Sequence, residues 1–445
     1  MEVRRDNDQG KTKLERIGEL AQTQKETVFN NLAHVLDLDL LRESYRQLEG
    51  KKAVGIDGVT KAKYGEKLEE NLQVLLASLR KESYKPQATR RINIPKEDGS
   101  ERTLRISCFE DKIVQGAVAT ILTTIYEPIF LGSSYGYREG IEAHAALRDL
   151  MKYSNALGSG ATIETDLEKY FDSIPHELLL EMLKKKITDK RFLRIIVRLI
   201  RTPEMVEGKA VLNERGCPQG SIVGPILANI YLHYVMDEWF EEVKTNHLRG
   251  KANQVRFADD MVFVFQYEED AQRFYKVLPK RLEKYGLRLN EEKSRLLKSG
   301  RRVAKAAAEE GRKAETYKFL GFVCYWGLSR KGHWRLKYKS RGDRYSSKLQ
   351  ELKKYLKRKL TERTDTTIQG VIRALRGWIN YHAISDNERS VSAFIHAIKH
   401  ILFRWINRKG GKRKIAWESF GKKLKMIGYP ESFKTKSMFT AYRMR

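Results

Sequence analysis

Asp259 and Asp260 interrupt the run VRFADDMVFVF (residues 255–265), which otherwise carries Val, Phe, Ala and Met around one Arg. Acidic residues are depleted in strands, and a tight hairpin turn ordinarily carries Gly, which is missing here. A second apolar run, ATIETDLEKYF, places Asp166 at its end. Read singly, each is an ordinary turn or helix-cap residue. Brought together they are hard to hold, because two like charges ~4 Å apart repel by about 4 kcal/mol at an effective dielectric of ~20. A divalent cation removes that cost, and an all-oxygen donor set with positions left for phosphate suits Mg²⁺. Two such ions ~3.5–4 Å apart stabilise both the attacking and the leaving oxygen of an in-line phosphoryl displacement. Nucleotidyl transfer and nucleic-acid hydrolysis both fit that chemistry.

The composition agrees with a nucleic-acid partner. The chain has 445 residues with 86 Lys and Arg against 57 Asp and Glu, a formal charge of +29. From Lys331 onward there are 30 basic and 8 acidic residues, a net +22, together with four of the six tryptophans, Trp334, Trp378, Trp405 and Trp417. Apolar residues make up 41%, enough for several cores and too many for a disordered basic tail. Cys108, Cys217 and Cys324 lie far apart, which argues against a disulfide framework or a structural zinc site and for a reducing compartment. The first twenty residues are charged and lack the apolar stretch of a signal peptide, and no apolar run approaches ~20 residues, so a soluble cytoplasmic protein without a membrane span is expected.

The elements that must position these residues can be read from periodicity. RRINIPKEDGSERTLRIS (90–107) reads as a β-hairpin turning at Lys96–Gly99, and a helix is expected over 111–130. ATIETD reads as a strand followed by a turn and a helix from Glu177. VRF and DMVFVF read as paired strands, followed by a helix over 268–285. No internal repeat or low-complexity linker is found, and RRVAKAAAEEGRKAE (301–315) is the nearest thing to an insertion. Three basic helices then follow within residues 344–409. The expected class is α+β, an antiparallel sheet with helices on one face and a helical basic region after it.

At this point the residues resemble a known family. Asp166-Leu167-Glu168-Lys169-Tyr170-Phe171-Asp172 is similar to motif A of reverse transcriptases, and Phe257-Ala258-Asp259-Asp260 to their motif C with Phe in place of the usual Tyr. Pro218-Gln219-Gly220-Ser221 with GPILANIYLH resembles motif B. It departs from the commonest form at Ser221, Gly224 and Ile226. GLRLNEEKSRLL resembles motif D, YKFLGF (317–322) the primer grip, and RRINIPKEDGSERTLRIS and SSYGYREGIEAHAAL the first two blocks. The order holds from about Asp37 to Asn387. KPQATRRINIPK, SYGYREG, LANIYLH and LRGWINYH are similar to bacterial group II intron reverse transcriptases, or maturases, of the kind without an endonuclease.

The resemblance implies a right-hand polymerase. Residues 1–36 would be an N-terminal extension, 37–340 fingers and palm (part of 185–215 in the fingers), and 341–445 a helical thumb or maturase domain. It implies that Asp166, Asp259 and Asp260, with the Leu167 carbonyl, hold two Mg²⁺ ions, Mn²⁺ being tolerated in their place. Lys96 and Arg102 would grip the triphosphate of the incoming dNTP. Phe171 would gate the sugar, Gln219 and Gly220 would border the nucleotide, and Lys293 would protonate pyrophosphate. Glu168, Tyr170 and Asp172 are expected to be structural, and Trp378 to be thumb core. The partners implied are an RNA template, a DNA or RNA primer and group II intron RNA. Two further readings share these residues: a domesticated reverse transcriptase in phage defence or DNA repair, and an RNA-binding splicing maturase whose polymerase activity is vestigial.

Overall fold

The fold is taken from a computed structural model, which describes residues 12–95, 101–410 and 414–439. Strands β1 (Thr89–Pro95) and β2 (Glu101–Ile106) form the first hairpin, and β3 (Gly160–Thr165) ends one residue before Asp166. A short ribbon follows, β4 (Glu204–Val206) and β5 (Lys209–Val211), then β6 (Ala252–Phe257) and β7 (Asp260–Phe265) on either side of Ala258-Asp259. β8 (Arg295–Ser299), β9 (Tyr317–Phe319), β10 (Phe322–Leu328) and β11 (Trp334–Ser340) complete the set.

These strands make three sheets. The first sheet has the order β2-β1-β4-β5. The ribbon turns through Glu207 (φ 49°) and Gly208 (φ 78°), the two left-handed residues that a tight hairpin needs, and β4 pairs parallel with β1. The palm sheet, β6-β7-β3-β8, is wholly antiparallel. The third sheet, β11-β10-β9, is antiparallel too and includes the segment resembling the primer grip.

β7 is buried on both faces, so its side chains do not alternate between apolar and polar. Ala161, Ile163, Met261, Phe263 and Phe265 join the largest core with Phe274, Leu278 and Leu282 of the Glu268–Lys284 helix. Val255, Val262, Val264 and Leu297 join a second core, with Leu147 and Leu150 of the Ala143–Ala156 helix and with Phe322, Leu336 and Tyr338 of the third sheet. Helices therefore cover both faces, not the one face expected from the order of elements. The Ala-rich stretch is also part of the fold: Arg301–Glu309 is a helix with Ala304 and Ala307 buried.

After Ser340 come the helices Gly342–Arg358, Thr364–His382, Glu388–Lys409 and Trp417–Met426. They bury a third core around Leu356, Ile372, Leu375, Phe394, Leu402, Trp405 and Phe420. Trp378 stacks on Phe394 (4.3 Å) and His382 (3.8 Å) and packs against that core. The helices are tied back to the third sheet and to the Ala143–Ala156 helix by Tyr381, whose hydroxyl donates to the Leu320 carbonyl (2.7 Å) and whose own carbonyl accepts from His144 (2.8 Å). No described helix is long and apolar enough to cross a membrane.

Candidate active site

The β6–β7 hairpin closes on the pair Phe257↔Asp260, leaving Ala258 and Asp259 as its two-residue turn. Ala258 takes the left-handed conformation (φ 58°) that a Gly would adopt without strain, so this turn stores strain next to two carboxylates. On the other side of β7 the register Thr165↔Met261, continued by one residue, sets Asp166 opposite Asp260. The three carboxylates thus meet at the ends of adjoining strands.

Asp166 is fastened from several directions. Its N–H donates to Ser294 Oγ (3.1 Å), its carbonyl accepts from Asn290 N–H (2.8 Å), and Asn290 Nδ2 donates to its carboxylate (3.2 Å). Leu167 bridges Leu289 through bonds that its neighbours make, so its own carbonyl takes no part in that bridge. Burial, reinforced by Asp166, raises the Asp259 carboxyl, against the pull of Arg102 and Arg256. Asp260 is open to solvent on one side but has protein on its other sides. That burial, with Asp259 and then Asp166, pushes its carboxyl up to about 7. Among the described residues no three His, Cys, Asp or Glu side chains are drawn together tightly enough to cage an ion by themselves. The donor chemistry nevertheless fits a hard divalent cation, because oxygen donors held back from ionising by burial and by one another gain most from a nearby double positive charge.

A buried polar network that the sequence reading did not anticipate backs this turn. Arg256 and Asp237 are both fully buried and paired at 2.5 Å. The guanidinium also donates to the Ala258 carbonyl (3.1 Å), to Asn229 Oδ1 (3.0 Å) and to Ser134 Oγ (2.7 Å). Asn229 in turn donates to the Gly136 carbonyl (2.7 Å). Gly136 could carry no side chain, since a Cβ there would lie 2.3 Å from the Ala258 nitrogen. A lone Arg inside an apolar strand, two residues before the acidic turn, was the available signal for this network.

Of the other expected site residues, Lys96 lies outside the described residues. Arg102 is exposed on β2, opposite Ile94, and its charge reaches Asp259. Phe171 is half-buried, edge-on to Tyr137 at 6.2 Å. The Gln219 carbonyl accepts from Arg105 N–H (2.7 Å), and Gly220 (φ 100°) passes so close to the Arg105 carbonyl that a Cβ would sit 2.9 Å from it. Lys293 reaches Asp166 at 3.9 Å. Asp172 lies 3.9 Å from Arg105, whose firmer partner is Glu204 at 2.9 Å. Asn290, Arg256, Asn229 and Tyr137 were not among the expected site residues.

Known proteins resemble parts of this chain. A family described as "Reverse transcriptase (RNA-dependent DNA polymerase)" matches residues 94–324, and one described as "Group II intron, maturase-specific domain" matches residues 346–423. The group II intron-encoded protein LtrA of Lactococcus lactis subsp. cremoris is 31% identical over 244 residues, 54% of this chain and 40% of that protein. Protein YkfC of Escherichia coli K12 is 33% identical over 212 residues, 47% of this chain and 55% of its own. A 91 kDa protein in the cob intron of Schizosaccharomyces pombe is 36% identical over 211 residues, 47% of this chain and 26% of that protein. The aligned stretches therefore cover between about a quarter and just over half of those relatives. With more than half of its length matched by the first family, the chain belongs to the reverse transcriptase (RNA-dependent DNA polymerase) family.

Proposed function

We propose that the chain is an RNA-directed DNA polymerase. A primer 3′-hydroxyl attacks the α-phosphorus of a dNTP paired to an RNA template, the new phosphodiester forms, and pyrophosphate leaves. Asp166, Asp259 and Asp260, with the Leu167 carbonyl, would hold the divalent metal, two Mg²⁺ ions, which supplies charge stabilisation to the oxygens of that displacement. Arg102, with Lys96, binds the triphosphate, since a guanidinium and an ammonium are the side chains suited to it. Phe171 lies beneath the incoming sugar. Gln219 and Gly220 border the nucleotide, and the bond from Arg105 to the Gln219 carbonyl holds that loop. Lys293, beside Asp166, gives a proton to the departing pyrophosphate.

The observation that carries this reading is the meeting of three carboxylates at the ends of β3 and the β6–β7 hairpin in a reverse transcriptase family member. Fingers and palm extend to Ser340 and the thumb follows. Its match to the maturase-specific domain and its basic helices support a second role, binding of group II intron RNA in splicing. The test is extension of a labelled primer on an RNA template by the purified chain. Products should require dNTPs and Mg²⁺ and vanish with a chelator. Failure to extend on any RNA template, with RNA still bound, would leave RNA binding alone.

A further inference from the structure

Tyr137 has three features that folding alone does not explain. Its backbone is left-handed (φ 57°), a strained conformation for a bulky side chain. The residue is 51% exposed, so burial does not compensate that strain. Its neighbours on both sides are fixed. Tyr135 N–H donates to the Arg256 carbonyl (2.8 Å), and the Gly136 carbonyl accepts from Asn229 with the Gly136 backbone pressed against Ala258. Arg138 then binds Glu127 (2.7 Å) and the carbonyls of Leu131 and Ser134. A segment clamped so firmly holds one large ring out toward solvent.

The position of that ring is informative. It stands edge-on to Phe171, at 6.2 Å and 83°, and feels the charges of Asp259, Arg102 and Asp260. It thus lies between the residue expected beneath the incoming sugar, the turn that carries the carboxylates, and the cation expected at the triphosphate. Aromatic pairs favour this edge-to-face arrangement, so Tyr137 also limits how far the Phe171 ring can turn.

We propose that Tyr137 is the second wall of the nucleotide's sugar pocket: its ring contacts the incoming deoxyribose and holds Phe171 edge-on, so that a 2′-hydroxyl is excluded. The inference rests on the polymerase reading above and assigns a specificity role to a residue outside the acidic cluster. An empty hollow in place of the ring would admit the extra hydroxyl, which the remaining apolar surface rejects only weakly.

Single-nucleotide extension on one RNA template with dCTP and with CTP tests it. Tyr137→Ala should lower the dCTP-to-CTP ratio of kcat/KM by about tenfold or more, chiefly through a higher KM for dCTP and a better rate with CTP. Tyr137→Gly, which removes the ring and relieves the backbone, should lose the same discrimination without loss of thermal stability. Tyr137→Phe restores the ring and should recover the ratio to within about threefold of the wild type. Combined with Phe171→Ala, Tyr137→Ala should add little further loss, because the two rings act as one wall. A wild-type ratio in both Tyr137→Ala and Tyr137→Gly would overturn the assignment while leaving the polymerase reading intact. A wild-type chain that extends no primer would overturn both.

Discussion

Arg256 and Asp237 face each other with no exposure to water, and the guanidinium holds the carbonyl beside Asp259 as well as two residues from other elements. Removing one partner of such a pair strands the other charge in the interior, at a cost of about 3–5 kcal/mol. Arg256→Ala should therefore unfold at markedly lower denaturant concentration, and its folded fraction should extend primers poorly because the Ala258-Asp259 turn has lost its clamp. Unchanged stability and rate, measured by chemical denaturation and primer extension, would mean that water replaces the guanidinium at no cost. Phe171 allows a different test at the same scale. If its ring lies beneath the sugar, Phe171→Ala should raise ribonucleotide incorporation about tenfold or more while dNTP use falls modestly. Lower activity with an unchanged ratio of ribonucleotide to deoxynucleotide would make Phe171 a packing residue.

Among the elements, the joint between the third sheet and the Thr364–His382 helix has a built-in pH dependence. His382 is buried, pairs with Ser340 Oγ at 3.0 Å and stacks on Trp378, and burial, followed by the charges of Arg344 and His144, lowers its pKa to about 4. The unfolded chain binds a proton at this residue near pH 6.5 and the folded chain only near 4. Between those values the unfolded state holds more protons, so the stability is fully present above about 6.5 and is lost as pH falls toward 4. This group should make the protein about 2 kcal/mol less stable at about pH 5 than at about pH 7, and His382→Gln should remove that share of the slope. An identical pH profile in the variant would place the dependence elsewhere.

How far such elements were legible depends on the range of the interactions that make them. The β6–β7 hairpin, the β1–β2 hairpin and the three long basic helices carry their own periodicity and turns, and they lie close to where that pattern puts them. The β4–β5 ribbon has three-residue strands, too short for a pattern to show, and it is held in place by β1 from more than a hundred residues earlier. The Ala143–Ala156 helix covers the second face of the palm, which no local feature announces. The Asp residues stood out because they break apolar runs. Tyr137, Asn229 and Asn290 do not, and only the folded chain brings them to the site.

For the molecule as a whole, charge is the dominant long-range property: +22 of the formal +29 lies after residue 330. Lys353, Lys354, Lys357 and Arg358 stand exposed on the Gly342–Arg358 helix, while its Leu352 and Leu356 are buried. If that face follows a nucleic-acid backbone and about six phosphates are neutralised in all, log affinity should fall against log salt with a slope of about −4 to −5. Changing Lys353, Lys354 and Lys357 to Gln should flatten the slope by about one for each lysine that touches a phosphate, and an unchanged slope would put the binding face elsewhere. The central claim, that Asp259 belongs to the polymerising centre while RNA is held largely by other surfaces, has its most direct test in a single substitution. Asp259→Ala should reduce Mg²⁺-dependent primer extension on an RNA template by about a thousandfold or more, with RNA affinity within about twofold of the wild type. Extension at a rate comparable to the wild type in that variant, with the protein folded and RNA bound, would contradict the account.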